Sequence, residues 1–189
     1  MIRITGESIF SIFKKTFMHK QIINIGICCL AIFLMTTTVD AQLAKPGITL
    51  GGNLLYAKPK GSFNQAYQLG VGGEVFGGIG IGKTFVVATA GLSEFKTQSD
   101  VHSGTLKYTP VKIGLKQFLL RKLIFINADI GRATVKNKTF NESRFTRGIG
   151  VGAKLLGLEA GLYYDGWKNV NASGFSNSLN VKVGWSLSL

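Results

Sequence analysis

Cysteine is missing from all but the front of this chain. The two cysteines are Cys28 and Cys29. Both fall in a segment read below as an export signal, so the remainder can form neither a disulfide nor a cysteine metal site. In Ile25-Gly26-Ile27-Cys28 a large Ile precedes the first cysteine, where a lipoprotein signal requires a small residue, and this disfavours a lipid anchor there. Proline is scarce, at 3 residues, and charged residues make up 16% of the chain against 46% hydrophobic. That balance excludes a disordered chain, which has too little apolar surface to bury. Long apolar runs are also lacking. The run from Ile22 to Met35 is interrupted by Asn24 and Gly26, and it is shorter than the ~20 residues of a spanning helix.

That run fits a secretory signal. His19, Lys20 and Gln21 precede it, and Val39-Asp40-Ala41 follows with the small residue that signal peptidase requires at the cut. Residues 1–41 are therefore expected to be a cleavable signal peptide, with Gln42 as the mature N-terminus and Met18 as an alternative start. The remaining residues, 42–189, are enough for one domain. They carry 18 basic and 7 acidic residues, +11 of the chain's +13. Such an excess suits nucleic acid or anionic lipid headgroups. Export decides for lipid, and nucleic acid is not expected as a partner.

What the mature part has in plenty is glycine, 25 residues in the whole chain, and phenylalanine, 13. Glycine weakens helices, and no helical stripe follows Gln42. Alternation with period two recurs instead, the mark of strands with two unlike faces. In the last strand Leu179, Val181, Val183, Trp185, Leu187 and Leu189 oppose Ser178, Asn180, Lys182, Gly184, Ser186 and Ser188. Upstream, Leu158, Ala160, Leu162 and Tyr164 oppose Glu159, Gly161, Tyr163 and Asp165, and Ile149, Val151, Ala153 and Leu155 oppose Gly148, Gly150, Gly152 and Lys154. Ile124, Ile126, Ala128 and Ile130 oppose Phe125, Asn127, Asp129 and Gly131, and Val111, Ile113 and Leu115 oppose Lys112, Gly114 and Lys116. Tyr67, Leu69, Val71 and Val75 oppose Gln68, Gly70, Gly72 and Glu74, and Ile48, Leu50 and Leu54 oppose Thr49, Gly51 and Asn53. The stretch from Lys83 to Phe95 is apolar on both faces, with Phe85, Val87, Thr89 and Phe95 on one and Val86, Ala88, Ala90 and Leu92 on the other.

These are eight strands of about ten residues, the length that crosses a bilayer at a tilt. Short turns are expected near Gly77–Gly80, Leu120–Lys122 and Leu156–Gly157, and long loops near 58–66, 97–104, 137–143 and 168–176. Connections short at one end and long at the other are the outer-membrane barrel pattern, the short ones periplasmic. Tyr56, Tyr67, Phe95, Phe145 and Tyr164 beside the long loops, with Phe85 and Trp185 nearer the other end, are expected on the lipid face as aromatic girdles. Phe118 and Phe125 fall on the polar face, which suggests a bulge or a displaced boundary there. The polar face is rich in glycine and poor in lysine, which suits a crowded interior better than the solvated exterior of a soluble barrel. The expected fold is all-β, an eight-stranded antiparallel up-and-down transmembrane barrel.

The signal ending Val39-Asp40-Ala41-Gln42, the glycine-spaced stretches Gln68-Leu-Gly-Val-Gly-Gly-Glu and Gly148-Ile-Gly-Val-Gly-Ala-Lys, and the alternating last strand together resemble the small outer-membrane β-barrel (porin-like) domain family. The likeness covers Gly47 to Leu189, and it is one of pattern. It implies a location in the outer membrane and no particular activity. Leu189 stands where members of that family often carry an aromatic residue.

Inward charges are the candidate site: Lys112, Lys116, Lys154 and Lys182 against Glu74, Asp129, Glu159 and Asp165. The signs balance. Lys154 and Glu159 face each other across the Leu156–Gly157 turn, and Lys112 lies near Asp129. An unpaired charge in a confined interior is costly, and eight strands enclose just enough room for side chains. The expectation is a closed polar plug, with a structural or surface-interaction role. A narrow ion or solute channel is the alternative. A second alternative is a lipid A-modifying acyl enzyme using His102 with Ser99, Asp100 and Ser103, but adjacent loop residues rarely supply a catalytic geometry. No nucleotide, phosphate or zinc motif is present; Gly148-Ile-Gly-Val-Gly lies within a strand pattern, not at a strand-to-helix turn. Neither cofactor nor metal nor enzymatic activity is expected. The expected partners are outer-membrane lipid and lipopolysaccharide and the outer-membrane assembly machinery, with the chain a monomer.

Overall fold

The computed structural model describes residues 45–98, 104–169 and 174–189. The expected signal peptide and its cleavage point lie outside the described residues, as does His102. Eight strands follow one another: β1 (Pro46–Lys60), β2 (Tyr67–Ile81), β3 (Thr84–Thr97), β4 (Leu106–Leu119), β5 (Ile124–Lys136), β6 (Asn141–Leu155), β7 (Leu158–Lys168) and β8 (Phe175–Ser188). Each is antiparallel to the next, and β8 pairs back to β1, closing the barrel. Closure removes both sheet edges, so the backbone ladder is satisfied without water, as a bilayer demands.

The strands are staggered as closure requires. Following partners sideways from Thr49 leads through Gly78, Val87, Gly114, Asp129, Gly148, Asp165 and Ser178 back to Pro59, ten residues along β1. Every residue on that path points inward. Small residues alternate with larger ones around it, which lets the side chains interdigitate in a narrow lumen.

The turns at one end are tight. Gly82 and Lys83 join β2 to β3, with Gly82 at φ 65°. Leu156 and Gly157 join β6 to β7, with φ 51° and 90°. Positive φ at both central positions is what a two-residue hairpin turn needs, and leucine there is strained. A single 3-10 turn, Leu120–Lys122, leads from β4 to β5. The expected turn near Gly77–Gly80 is corrected, because β2 continues through those glycines. They serve packing: a Cβ at Gly80 would lie 2.7 Å from the Phe85 ring.

At the other end the strands run further than expected, and the connections shorten. Between β1 and β2 stand Gly61, Ser62 and a one-turn helix α1 (Phe63–Ala66). Between β5 and β6 only 137–140 remain. There Asn137 Oδ1 accepts from the Thr139 and Phe140 amides, both at 2.8 Å, an Asx turn that reverses the chain quickly.

Two expectations about facing are also corrected. Tyr67 points inward, because β2 carries one extra residue where Tyr67 pairs with Thr97 and Gly70 with Phe95. Such a bulge inverts parity beyond it. Phe118 and Phe125 involve no irregularity: they are direct register partners on an unbroken β4–β5 ladder, and both point into the barrel.

Candidate functional site: the barrel lumen

The eight expected charges come together inside the barrel. Seven of them are at most 9% exposed, and Lys154, nearer the rim, has its side chain 14% exposed. Parity delivers them there: Glu74, Lys112, Lys116, Asp129, Lys154, Glu159, Asp165 and Lys182 each occupy an inward step of an alternating strand.

Lys112 Nζ bridges two carboxylates, 2.9 Å from Asp129 Oδ1 and 3.1 Å from Asp165 Oδ1. Lys182 Nζ lies 2.8 Å from Glu74 Oε2 and 3.7 Å from Asp165 Oδ2. Three amides complete this middle layer. Asn180 donates to Asp165 at 2.6 Å, Asn53 to Glu74 at 2.9 Å and Asn127 to Asp129 at 2.9 Å. Buried carboxylates are tolerable when ammonium groups and added donors satisfy their lone pairs. Among the described residues no trio of His, Cys, Asp or Glu is placed to hold a metal ion.

Glu159 differs from expectation in its principal partner. Lys154 is its register partner across the turn, yet the two charges stand 3.9 Å apart. Lys154 donates instead to Ser188 Oγ at 2.8 Å. Lys116 reaches across from β4 to Glu159 Oε2 at 2.6 Å, while Ser186 donates to Oε1 at 2.6 Å.

The interior is not polar throughout, and this corrects the expected polar plug. Toward the short turns sits an apolar cluster of Phe76, Phe85, Val87, Phe118, Phe125 and Tyr163. Lys116 Nζ lies 4.2 Å from the Phe125 ring centre and 4.9 Å from that of Phe76, so the ammonium is caged by ring faces that favour a cation. Toward the longer loops a second cluster gathers Ala57, Phe63, Tyr67, Phe95, Leu106, Tyr108, Ala133, Val135 and Trp167. Phe63 of α1 inserts as its centre, 4.8 Å from Trp167, 5.1 Å from Phe95 and 5.3 Å from Tyr67, centre to centre.

Phe85, Phe95 and Tyr67 were therefore expected on the wrong wall. Tyr56, Phe145, Tyr164 and Trp185 do face outward. A signal for the inward rings existed: Phe85 and Phe95 share parity with Ser93 and Gly91, and Phe76 shares parity with Glu74. The glycines opposite supply the space. A Cβ at Gly150 would collide with the Tyr163 ring, and one at Gly148 with Asp165 Oδ1. What remains empty amid Glu74, Lys116, Asp129, Tyr163 and Lys182 is about 20 Å³, room for about one water.

The outer wall is the reverse. Leu54, Ile79, Val75, Val111 and Leu158 are each more than 60% exposed, and outward apolar residues continue around all eight strands. A soluble barrel buries its apolar wall; this one displays it and buries ion pairs. The protein is a transmembrane β-barrel of the outer-membrane type, small enough for side chains to fill its lumen.

A solved structure shares that architecture. The chain is similar to the Neisserial surface protein A, with a TM-score of 0.51 at 14% identity over 75% of this chain and 96% of that one. It is also similar to Ail, the attachment invasion locus protein of Yersinia pestis, with a TM-score of 0.46 at 13% identity over 76% of this chain and 99% of that one. The likeness is one of fold. No family model and no curated protein matches the chain.

Proposed function

We propose that this protein is a closed, non-enzymatic barrel of the outer membrane. Its role is structural or one of surface interaction, carried by its longer loops and outer wall. A single observation carries the reading: the lumen's four ammonium groups and four carboxylates are linked in ion pairs, an aromatic cluster covers them on either side, and about 20 Å³ is left between them. Nothing of solute size passes such an interior without unpairing charges and displacing rings. The protein works as a monomer, delivered by the outer-membrane assembly machinery, with lipid and lipopolysaccharide around it.

Proteoliposome swelling tests the reading. Vesicles holding the purified protein should swell no faster in isosmotic arabinose than empty ones, and rapid swelling would replace the plug with a solute channel. The enzymatic alternative is tested through His102, outside the described residues. Overexpression of the wild type should leave membrane lipid A species unchanged. A modified species lost on His102→Ala would establish catalysis.

A further inference from the structure

On the outer wall, just above the apolar belt at the loop end, cations are set against cations. Lys107 of β4 and Lys136 of β5 are direct cross-strand partners, both facing outward. Four residues lower on β5, Arg132 pairs with Phe145 of β6, so it lies one diagonal step from Arg147, also outward. Like charges placed this way destabilise a sheet. No outward position of β4, β5 or β6 carries a carboxylate. Of the acids near this end, Glu94 of β3 engages Lys107 at 3.0 Å, and Glu142 of β6 engages Arg144 at 2.8 Å. Among the described residues, no carboxylate pairs with Arg132, Lys136 or Arg147.

We infer that this wall is a binding site for a membrane lipid whose headgroup carries two phosphates. Arg132 with Arg147 takes one phosphate and Lys107 with Lys136 takes the other. Four residues along β5 separate the two cation pairs, about 13 Å of strand. Between them runs a row of outward hydroxyls in register, Thr109, Thr134 and Ser143, donors for the sugar or phosphate oxygens of a headgroup. Arg147 is braced to meet a phosphate. Its guanidinium lies 3.9 Å over the Phe175 ring, and Phe145 packs against Phe175 at 6.4 Å. A guanidinium stacked on a ring keeps its N–H fork, which fits phosphate, free to donate at the edge. Val111 and Ile130 lie directly beside Arg132 and Arg147 as their cross-strand partners, and Ile113 and Ile149 lie further toward the belt; all four are more than half exposed, and acyl chains of the same molecule would rest there. That continuity with the apolar belt favours a lipid over a soluble anion. The inference rests on the proposed setting, a barrel with lipopolysaccharide around it, and stands whether or not the barrel conducts.

The test is native mass spectrometry of the detergent-extracted full chain, mixed with bis-phosphorylated lipid A. One bound lipid per barrel is expected. Retention should fall at least tenfold in Arg132→Gln/Arg147→Gln and again in Lys107→Gln/Lys136→Gln, and monophosphorylated lipid A should be held more weakly by the wild type. The control Lys45→Gln/Lys122→Gln, exposed at the opposite end, should retain lipid as the wild type does. Equal loss in the control would reduce the effect to net charge and overturn the site, as would full retention in the quadruple variant. Displacement of the lipid by millimolar inorganic phosphate would overturn the lipid as occupant. Without lipid, Lys136→Gln, which leaves the Lys107–Glu94 pair intact, should unfold at the same or a higher urea concentration, since it relieves repulsion; a lower midpoint contradicts the proposal.

Discussion

Strands β8 and β3 sit in the same barrel and read differently. On β8 the outward Leu179, Val181, Val183, Trp185 and Leu187 alternate with Ser178, Asn180, Lys182 and Ser186, which are buried among the lumen charges. On β3 both walls are apolar: Val86 and Leu92 face outward, while Phe85, Val87 and Phe95 are buried inside. The difference follows height in the lumen. Asn180 and Lys182 stand in the middle, where ion pairs fill the space, and β3 places its rings at the two ends, where aromatic clusters cover those pairs. Polarity marks the inner wall most plainly in the middle layer; toward the ends it is shared with rings whose direction shape decides.

The largest expected effect comes from unpairing the layers where they meet. Glu159→Ala leaves Lys116 buried among rings without a carboxylate, and loss of one partner of a buried pair costs about 3–5 kcal/mol. Urea unfolding in lipid vesicles would measure it. Adding Lys116→Met should recover part of the loss, because it replaces the stranded ammonium with an apolar chain suited to Phe76 and Phe125. Additive losses would mean that the two residues do not act as a pair.

Phe95→Ala tests the β3 side of the comparison. A ring at 2% exposure packed on Phe63 and Trp167 should cost about 3–4 kcal/mol on truncation. A loss below about 1 kcal/mol would fit a lipid-facing ring and return Phe95 to the outer wall. On β8 the walls are separated by one residue. Val183→Arg should cost about 2–4 kcal/mol by putting a cation at mid-bilayer, and Asn180→Ala should cost less. Folding yield into vesicles would rank the two, and the reverse order would show the faces interchanged.

The smallest effect is a gain. Leu156 sits at φ 51° with 93% of its surface exposed, so it has little packing to lose. Leu156→Asn should raise stability by about 1 kcal/mol, because asparagine tolerates the left-handed region that leucine resists. An unchanged unfolding midpoint would show that the turn is unstrained.

Strand number, the lipid-facing wall from β4 to β8 and all eight inward charges were legible in the sequence, because period-two alternation of unlike chemistries is a local signal. Three things were not. The bulge that turns Tyr67 inward depends on a mismatch between β2 and β3, and neither strand marks it alone. Phe85 and Phe95 are apolar residues in an apolar strand, and their direction is settled by the space that Gly80 and Gly70 leave opposite. The partner of Glu159 is decided across the lumen, by the reach of Lys116, and register alone favours Lys154. Each depends on a distant strand, which parity does not report.

The central claim is that ion pairs and aromatic clusters together close the lumen. Planar-bilayer recording of the wild-type barrel tests it most directly. With single insertions verified, the account predicts no steady current at moderate voltage in molar salt, because no continuous water path crosses the packed side chains. A stable, ohmic current from each inserted molecule would contradict it and make the protein a channel.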